Sequence, residues 1–340
     1  ALRSQTWPPT RLPCTVEDVT GGDGCGQQNL DGCLSYPYPD ELIVIGDSTR
    51  VAQEKVSTLV EKGARVVPCL GSLKGDESPR VLLKHAHNTS LAIGMQLLAD
   101  QQVDALVSSA DTKAIMVLGR SVLGTVQGLY RPAIAKAFQG PRGQFYMLDL
   151  GANIQCSPDL LRQFGRLGSA LQAARQQATT SAKAASVVAP DAKPRVGLLN
   201  IGIERGKGTG GANRAISLLE QDEYINCIGF IEPSELFSGR ADVIVCDGYT
   251  GNLVLKTIES MAGYLRGQLA ELANERDTAA LSAQIDSDRY NGALFAGLNG
   301  VVVKSHGSAS ERGFAHAILQ GREYAARQLT TACTQILARE

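Results

Sequence analysis

Seven short apolar runs punctuate this chain: 42–45, 105–107, 145–148, 196–199, 227–231, 243–246 and 300–303. None alternates apolar with polar residues, so they predict strands buried on both faces, the pattern of a largely parallel sheet. Helical spacing fills the gaps between them. Val254, Ile258, Met261 and Leu265 step by four, three and four residues, and Ala315, Ile318 and Leu319 form a similar stripe near the C-terminus. Strands and helices in alternation predict an α/β protein: three α/β/α layers around a doubly wound, largely parallel sheet.

The residues just past each run point toward function. The runs end in Gly46-Asp47-Ser48, Ser108-Ser109-Ala110-Asp111-Thr112-Lys113, Asp149-Leu150-Gly151-Ala152-Asn153, Asn200-Ile201-Gly202, Asp247-Gly248-Tyr249-Thr250-Gly251-Asn252 and Lys304-Ser305-His306-Gly307. In an open parallel sheet such loops share the carboxyl edge, where ligands bind. Turn and cap requirements account for much of the Gly and Asn. Lys304, His306, Lys207 and Asn153 exceed what capping needs. Glycine amides and helix N-termini attract anions, so the loops with their lysines predict a phosphate or phosphoester site.

Composition narrows the classes. With 33 Lys+Arg against 34 Asp+Glu in 340 residues, the net charge of −1 gives no basic field for nucleic acid. No apolar stretch is long enough to span a bilayer. The start carries Arg3 and Arg11 without an apolar run, and Pro8, Pro9 and Pro13 oppose an amphipathic presequence. The eight cysteines lack a C-x-x-C pair and read as free thiols in a reducing compartment, so a cytoplasmic location is expected. There is no G-x-S-x-G elbow and no H-E-x-x-H pair; His85, His87 and His316 read as structural or surface residues, and no metal is expected.

Gly206, Gly208 and Gly211 imitate a dinucleotide fingerprint, with Glu232 about 20 residues on. Ile203-Glu204-Arg205 separates Gly202 from the first of these glycines, which is too long for the tight turn, and Glu204 would face a pyrophosphate. A nicotinamide-dependent oxidoreductase is therefore the weaker alternative.

In these motifs the chain resembles the bacterial phosphate acyltransferases of phospholipid synthesis. The resemblance runs from residue 10 to about 330. It is carried by Thr20-Gly21-Gly22-Asp23, the 149–153 loop, Leu198–Gly202 with Lys207-Gly208, Val245–Asn252 with Leu255-Lys256-Thr257, Tyr290–Ala293 and Val303–Gly307; Arg131-Pro132-Ala133 and Phe164–Ser169 are similar too. It implies transfer of an acyl group from acyl carrier protein to inorganic phosphate, giving acyl phosphate and free carrier protein. It also implies a homodimer, no organic cofactor, and a fold like that of phosphate acetyltransferases and isopropylmalate-type dehydrogenases. On this reading residues 1–15 are a flexible segment, 16–330 one acyltransferase domain with a helical excursion over 260–288, and 331–340 a tail.

The chemistry suits these residues. Phosphate is its own nucleophile, so the protein has to desolvate and orient it and stabilise the oxyanion formed on the thioester carbonyl. Lys304, His306, Lys207, Asp247 and Asn252 are the candidate catalytic residues. His306 would donate to the oxyanion or manage the proton at the leaving thiolate, and Asp247 would orient a lysine or histidine. Gly21, Gly22, Asp23, Asp111, Thr112, Lys113, Asn153, Asn200, Gly202, Gly248, Thr250, Gly251, Lys256 and Gly307 are the candidate phosphate- and substrate-binding residues.

Three departures stand out. Where the family reads Ser-Ala-Gly-Asn-Thr-Gly, this chain has Ser108–Lys113: both glycines are gone, Asp111 opposes an anion and Lys113 partly compensates. That change motivates a second alternative, a family-derived binding or scaffold protein without turnover. The stretch after Asp23 is rich in Gly and Pro, which predicts a short or absent first helix. Residues 274–288 are more polar than the family's helical excursion, so membrane contact is expected to be peripheral at most.

Overall fold

The computed structural model describes residues 15–18, 26–47, 52–71, 73, 75–182, 193–271, 286, 288 and 291–338. They fall into two compact units, one within Ala1–Gly124 and Asn299–Ala326, the other within Thr125–Leu298 and Arg327–Glu340.

The first unit holds five parallel strands in the order β3-β2-β1-β4-β11: β1 Thr15–Asp18, β2 Leu42–Asp47, β3 Arg65–Cys69, β4 Ala105–Ser108 and β11 Val301–Lys304. The predicted runs at β2, β4 and β11 are almost wholly buried, as strands covered on both faces must be. Helices α1 Gln27–Ser35, α2 Gln53–Glu61, α3 Pro79–His85, α4 Ser90–Ala99, α5 Thr112–Val122 and α9 Glu311–Ala326 accompany them. The first helix is short, as expected, and buries Leu30 and Cys33. Neither β1 nor β3 is among the predicted runs. β1 sits in a Pro- and Gly-rich context, and β3 is an edge strand with Arg65 and Pro68 exposed.

The second unit orders its strands β10-β5-β6-β9-β7-β8: β5 Ala133–Gly140, β6 Gly143–Leu148, β7 Arg195–Leu199, β8 Asn226–Ile231, β9 Val243–Val245 and β10 Ala293–Ala296. β6, β9, β7 and β8 run parallel, whereas β5 pairs antiparallel with both β6 and β10. β5 escapes the apolar-run criterion because Lys136 and Gln139 interrupt it, whereas β10 is a short uninterrupted apolar run that was not among those predicted. Helices α6 Pro158–Ala182, α7 Gly210–Gln221, α8 Gly248–Glu271 and α10 Leu329–Ala338 complete this unit. α6 lies tight on the sheet at Gly168, where a Cβ would stand 2.4 Å from Val243 Cγ1. Residues 331–338 are helical, and α10, to which they belong, packs against α6.

The expected stripe on α8 is only partly covered. Val254 and Ile258 are half-buried, but Met261 is 54% and Leu265 44% exposed, with Tyr264 beside them. Most of the polar 272–288 segment lies outside the described residues. Among the described residues no helix is long and apolar enough to cross a membrane.

Candidate functional site

In the first unit β4 and β11 are neighbours in register, with Lys304 opposite Ser108, and their loops leave side by side. Lys304 Nζ donates to the carbonyls of Ala110 (2.9 Å) and Ser305 (3.4 Å), so its ammonium clamps the β4 loop. The Ser305 amide donates to Ser108 O at 2.9 Å and ties the two loops again. Asp111 is the N-cap of α5: its Oδ1 accepts from the amides of Lys113 (2.9 Å) and Ala114 (3.3 Å). A carboxylate that occupies helix N-terminal amides takes the place an anion would use. Thr112 opens the helix, and Lys113 is exposed. His306 is exposed on the β11 loop, and its Nδ1 lies 3.2 Å from the Ser308 amide and 2.8 Å from Ser308 Oγ, with Gly307 half-buried between them. Gly21, Gly22 and Asp23 lie outside the described residues.

In the second unit β6, β9 and β7 are adjacent and parallel, and Leu148, Val245 and Leu198 stand level. The β6 loop is organised by Asp149, which is fully buried. Its Oδ1 accepts from the amides of Ile134, Gly151 and Ala152, and its Oδ2 from the amide and the Nδ2 of Asn153. Burial pushes this carboxyl above its ordinary range, against the pull of those donors. Asn153 is 2% exposed, with Nδ2 also donating to Pro132 O, while its Oδ1 has no partner among the described residues.

The β9 loop rests on the β6 loop. The amides of Gly248 and Tyr249 donate to the carbonyls of Asn153 and Ile154, and those of Thr250 and Gly251 go to Asp247. All four leading amides of α8 are thus satisfied within the protein. A Cβ at Gly251 would stand 1.9 Å from Asp149 O, and one at Gly248 2.5 Å from Asn153 O, so these glycines serve close packing of the two loops. Asp247 caps α8. Asn252 is exposed at the mouth of the helix, and Lys256 pairs with Glu259 at 2.9 Å.

The β7 loop is held from within. Asn200, 9% exposed, donates from Nδ2 to Gly202 O and Lys207 O. Gly208, at φ 81°, passes so close to Asn200 that a Cβ would meet Oδ1 at 2.0 Å. Asn213 accepts from the Gly206 amide and donates to Lys207 O, while Thr209 caps α7. The fingerprint-like glycines therefore shape a loop folded on two asparagines. Lys207 projects outward beside Glu204 at 3.2 Å, both more than half exposed, and buried Gly202 lies against the lysine stem.

The structure thus divides the predicted residues by what they do. Asn153, Asn200, Asp247, Gly248, Gly251 and Asp111 build and cap loops. Lys113 and His306 in the first unit, and Lys207 and Asn252 in the second, are exposed. Asp149 organises the edge and was outside the predicted set, although Asp-x-Gly-x-Asn marks a carboxylate aimed at the next few amides. Two thiols lie beneath the β6 and β9 loops. Burial, with Asp149 adding, pushes Cys156 up to about 12, and burial carries Cys246 well above its ordinary value, so neither is a thiolate at neutral pH. Among the described residues no group of three His, Cys, Asp or Glu side chains is placed to hold a metal ion.

Comparison with known proteins adds independent findings. The family profile described as "Fatty acid synthesis protein" matches residues 16–332. A phosphate acyltransferase of Shewanella amazonensis is 36% identical over 331 residues, 92% of this chain and 93% of that protein. One from Pseudomonas fluorescens is 38% identical over 319 residues, 88% and 90% of the two chains. Among solved structures, a phosphotransacetylase from Streptococcus pyogenes superposes with a TM-score of 0.57 at 13% identity, covering 92% of this chain and 94% of that one. A 4-hydroxythreonine-4-phosphate dehydrogenase from Klebsiella pneumoniae gives 0.52 at 13%, covering 92% and 97%. These two share the fold.

Proposed function

Because this chain belongs to the phosphate acyltransferase family and is an acyltransferase of fatty acid and phospholipid synthesis, we propose that its reaction joins the acyl group of an acyl-[acyl carrier protein] to inorganic phosphate. The observation that carries this reading is the family match across both units at more than a third identity. The chemistry agrees with it. Burial keeps the thiols of half-buried Cys156 and buried Cys246 protonated, which agrees with phosphate itself as the attacking group. Each unit offers an outward cation suited to a dianion, Lys113 in the first and Lys207 in the second, and within the first unit Lys304 holds the loop that carries Asp111 and Thr112. His306 in the first unit and Asn252 in the second are separate candidates for a donor to a developing oxyanion.

Gly21, Gly22, Asp23, Gly202, Thr250, Lys256 and Gly307 complete the proposed binding set. The proposed activity is cytoplasmic, with the carrier protein as acyl donor and no organic cofactor. A homodimer is proposed on the exposed apolar face of α8, where Leu253, Met261, Tyr264 and Leu265 are each at least 44% exposed.

The test is turnover of long-chain acyl carrier protein with phosphate, trapping the product as hydroxamate. Phosphate-dependent hydroxamate that falls at least tenfold in both Lys304→Ala and His306→Ala supports the reading. A folded wild type that forms none overturns it in favour of a binding or scaffold role.

A further inference from the structure

His306 and Ser308 lie two residues apart in the loop after β11. The Ser308 main-chain N–H donates to His306 Nδ1 at 3.2 Å, and Ser308 Oγ lies 2.8 Å from the same nitrogen. An amide N–H can only donate, so Nδ1 must offer its lone pair, and the ring proton of neutral imidazole then sits on Nε2. A proton on Nδ1 would set two donors against each other. The hydroxyl of Ser308, a rotor, turns its hydrogen to the same lone pair.

We propose that Ser308 is a positioning residue that fixes His306 as the Nε2–H tautomer, so that His306 works in the acyl transfer as a hydrogen-bond donor to the carbonyl oxygen and not as a general base. The inference rests on the acyl-phosphate reading for its reaction, and on the loop geometry alone for its tautomer.

The reaction balances without a protein base. Hydrogen phosphate dianion attacks the thioester carbon; the C–O bond forms, and the carbonyl π electrons move to oxygen, where Nε2–H donates. The oxyanion collapses and the C–S bond breaks. The proton carried by the phosphate hydroxyl passes to the departing thiolate, leaving acyl phosphate dianion and the free carrier thiol. His306 keeps its proton throughout.

Two measurements on the full chain test this. Long-range 1H–15N spectra of histidine-labelled protein at neutral pH, with His306→Gln to assign the ring among the four histidines, should show Nε2 protonated and Nδ1 bare. The opposite tautomer overturns the proposal whether or not the protein turns over. The second measurement compares kcat. Gln places an amide N–H where Nε2 was, whereas Asn mimics Nδ1. His306→Gln should stay within about tenfold of wild type, while His306→Asn and His306→Ala lose on the order of 10²–10³, the scale for a lost oxyanion donor. A Gln variant as inactive as Ala would assign His306 to proton transfer and sink the donor role. Absent wild-type turnover with the predicted tautomer would count against the acyl-phosphate reading alone.

Discussion

Asp149 holds Asn153 twice, through the backbone amide at 2.6 Å and the side-chain Nδ2 at 2.9 Å. With the amides of Ile134, Gly151 and Ala152 also directed at it, this one carboxylate fixes the turn on which the β9 loop rests. Asp149→Asn keeps the shape but points an NH2 at N–H donors whichever way it lies. It should cost about 3 kcal/mol of stability, the scale of a charged buried acceptor removed. Urea unfolding measures this directly, and a loss under about 1 kcal/mol would contradict the turn's dependence on the carboxylate.

Two glycines on α8 should respond in opposite directions. Gly251→Ala drives a Cβ to within 1.9 Å of Asp149 O, so the loops must separate and the melting temperature should fall sharply. Gly263, on the same helix, has nothing within 4 Å of an added Cβ, and Gly263→Ala should gain about 0.5–1 kcal/mol from helix propensity. Equal effects at the two positions would show that the close packing is not what requires Gly251.

Asp222 bridges α6 and the turn before β8. Its side chain is 1% exposed and accepts from Arg162 and Arg166. Burial alone would raise this carboxyl, but the hydrogen bonds from Arg166 and Arg162 outweigh it and hold it below its ordinary value. A carboxylate depressed in the folded state contributes stability above its unfolded value, about 3.9, and that contribution is lost as pH falls through the lower folded value. The stability gap between wild type and Asp222→Asn should therefore be about 2–3 kcal/mol near neutrality and close below about pH 4. A gap independent of pH would show that the pair is not ionic.

Lys136 on β5 is 8% exposed, and its Nζ lies 3.5 Å from Glu259, which also binds Lys256. Burial lowers the Lys136 ammonium against the pull of Glu259. The unfolded chain then binds more protons than the folded one as pH rises toward the ordinary lysine value, so this lysine makes stability rise on the alkaline side. Glu259→Gln strands a buried cation and should cost about 2–3 kcal/mol, whereas Lys136→Met should be near neutral and should flatten the alkaline rise. Chemical denaturation at two pH values decides it.

The exposed face of α8 supplies the last variant. Met261→Glu with Tyr264→Glu should turn a dimer into a monomer in light scattering while leaving the secondary structure intact. A dimer that persists would place the interface elsewhere.

Most parallel strands, though not β1 or the edge strand β3, were legible because burial leaves uninterrupted runs such as Val243–Cys246 and Val301–Val303. The antiparallel β5 was not, since a buried lysine paired with Glu259 breaks its run. The site was legible as loops but not as roles. Composition could not distinguish an asparagine turned inward, such as Asn153 or Asn200, from one facing out, such as Asn252, because the difference lies in long-range partners. Asp111 looked like an intrusion into an anion loop, and the helix it caps gives the carboxylate its place. The stripe on α8 had the period of a core helix, yet period alone does not say what covers it.

The identity of the product decides the chemistry. It is read by 31P spectroscopy of a reaction containing acyl carrier protein thioester, inorganic phosphate and the full chain, with free thiol measured in parallel. An acyl phosphate resonance should grow one-for-one with carrier thiol, and neither should appear without phosphate or enzyme. Thiol released without acyl phosphate, or at a rate indifferent to phosphate, would make the protein a hydrolase and contradict acyl transfer to phosphate.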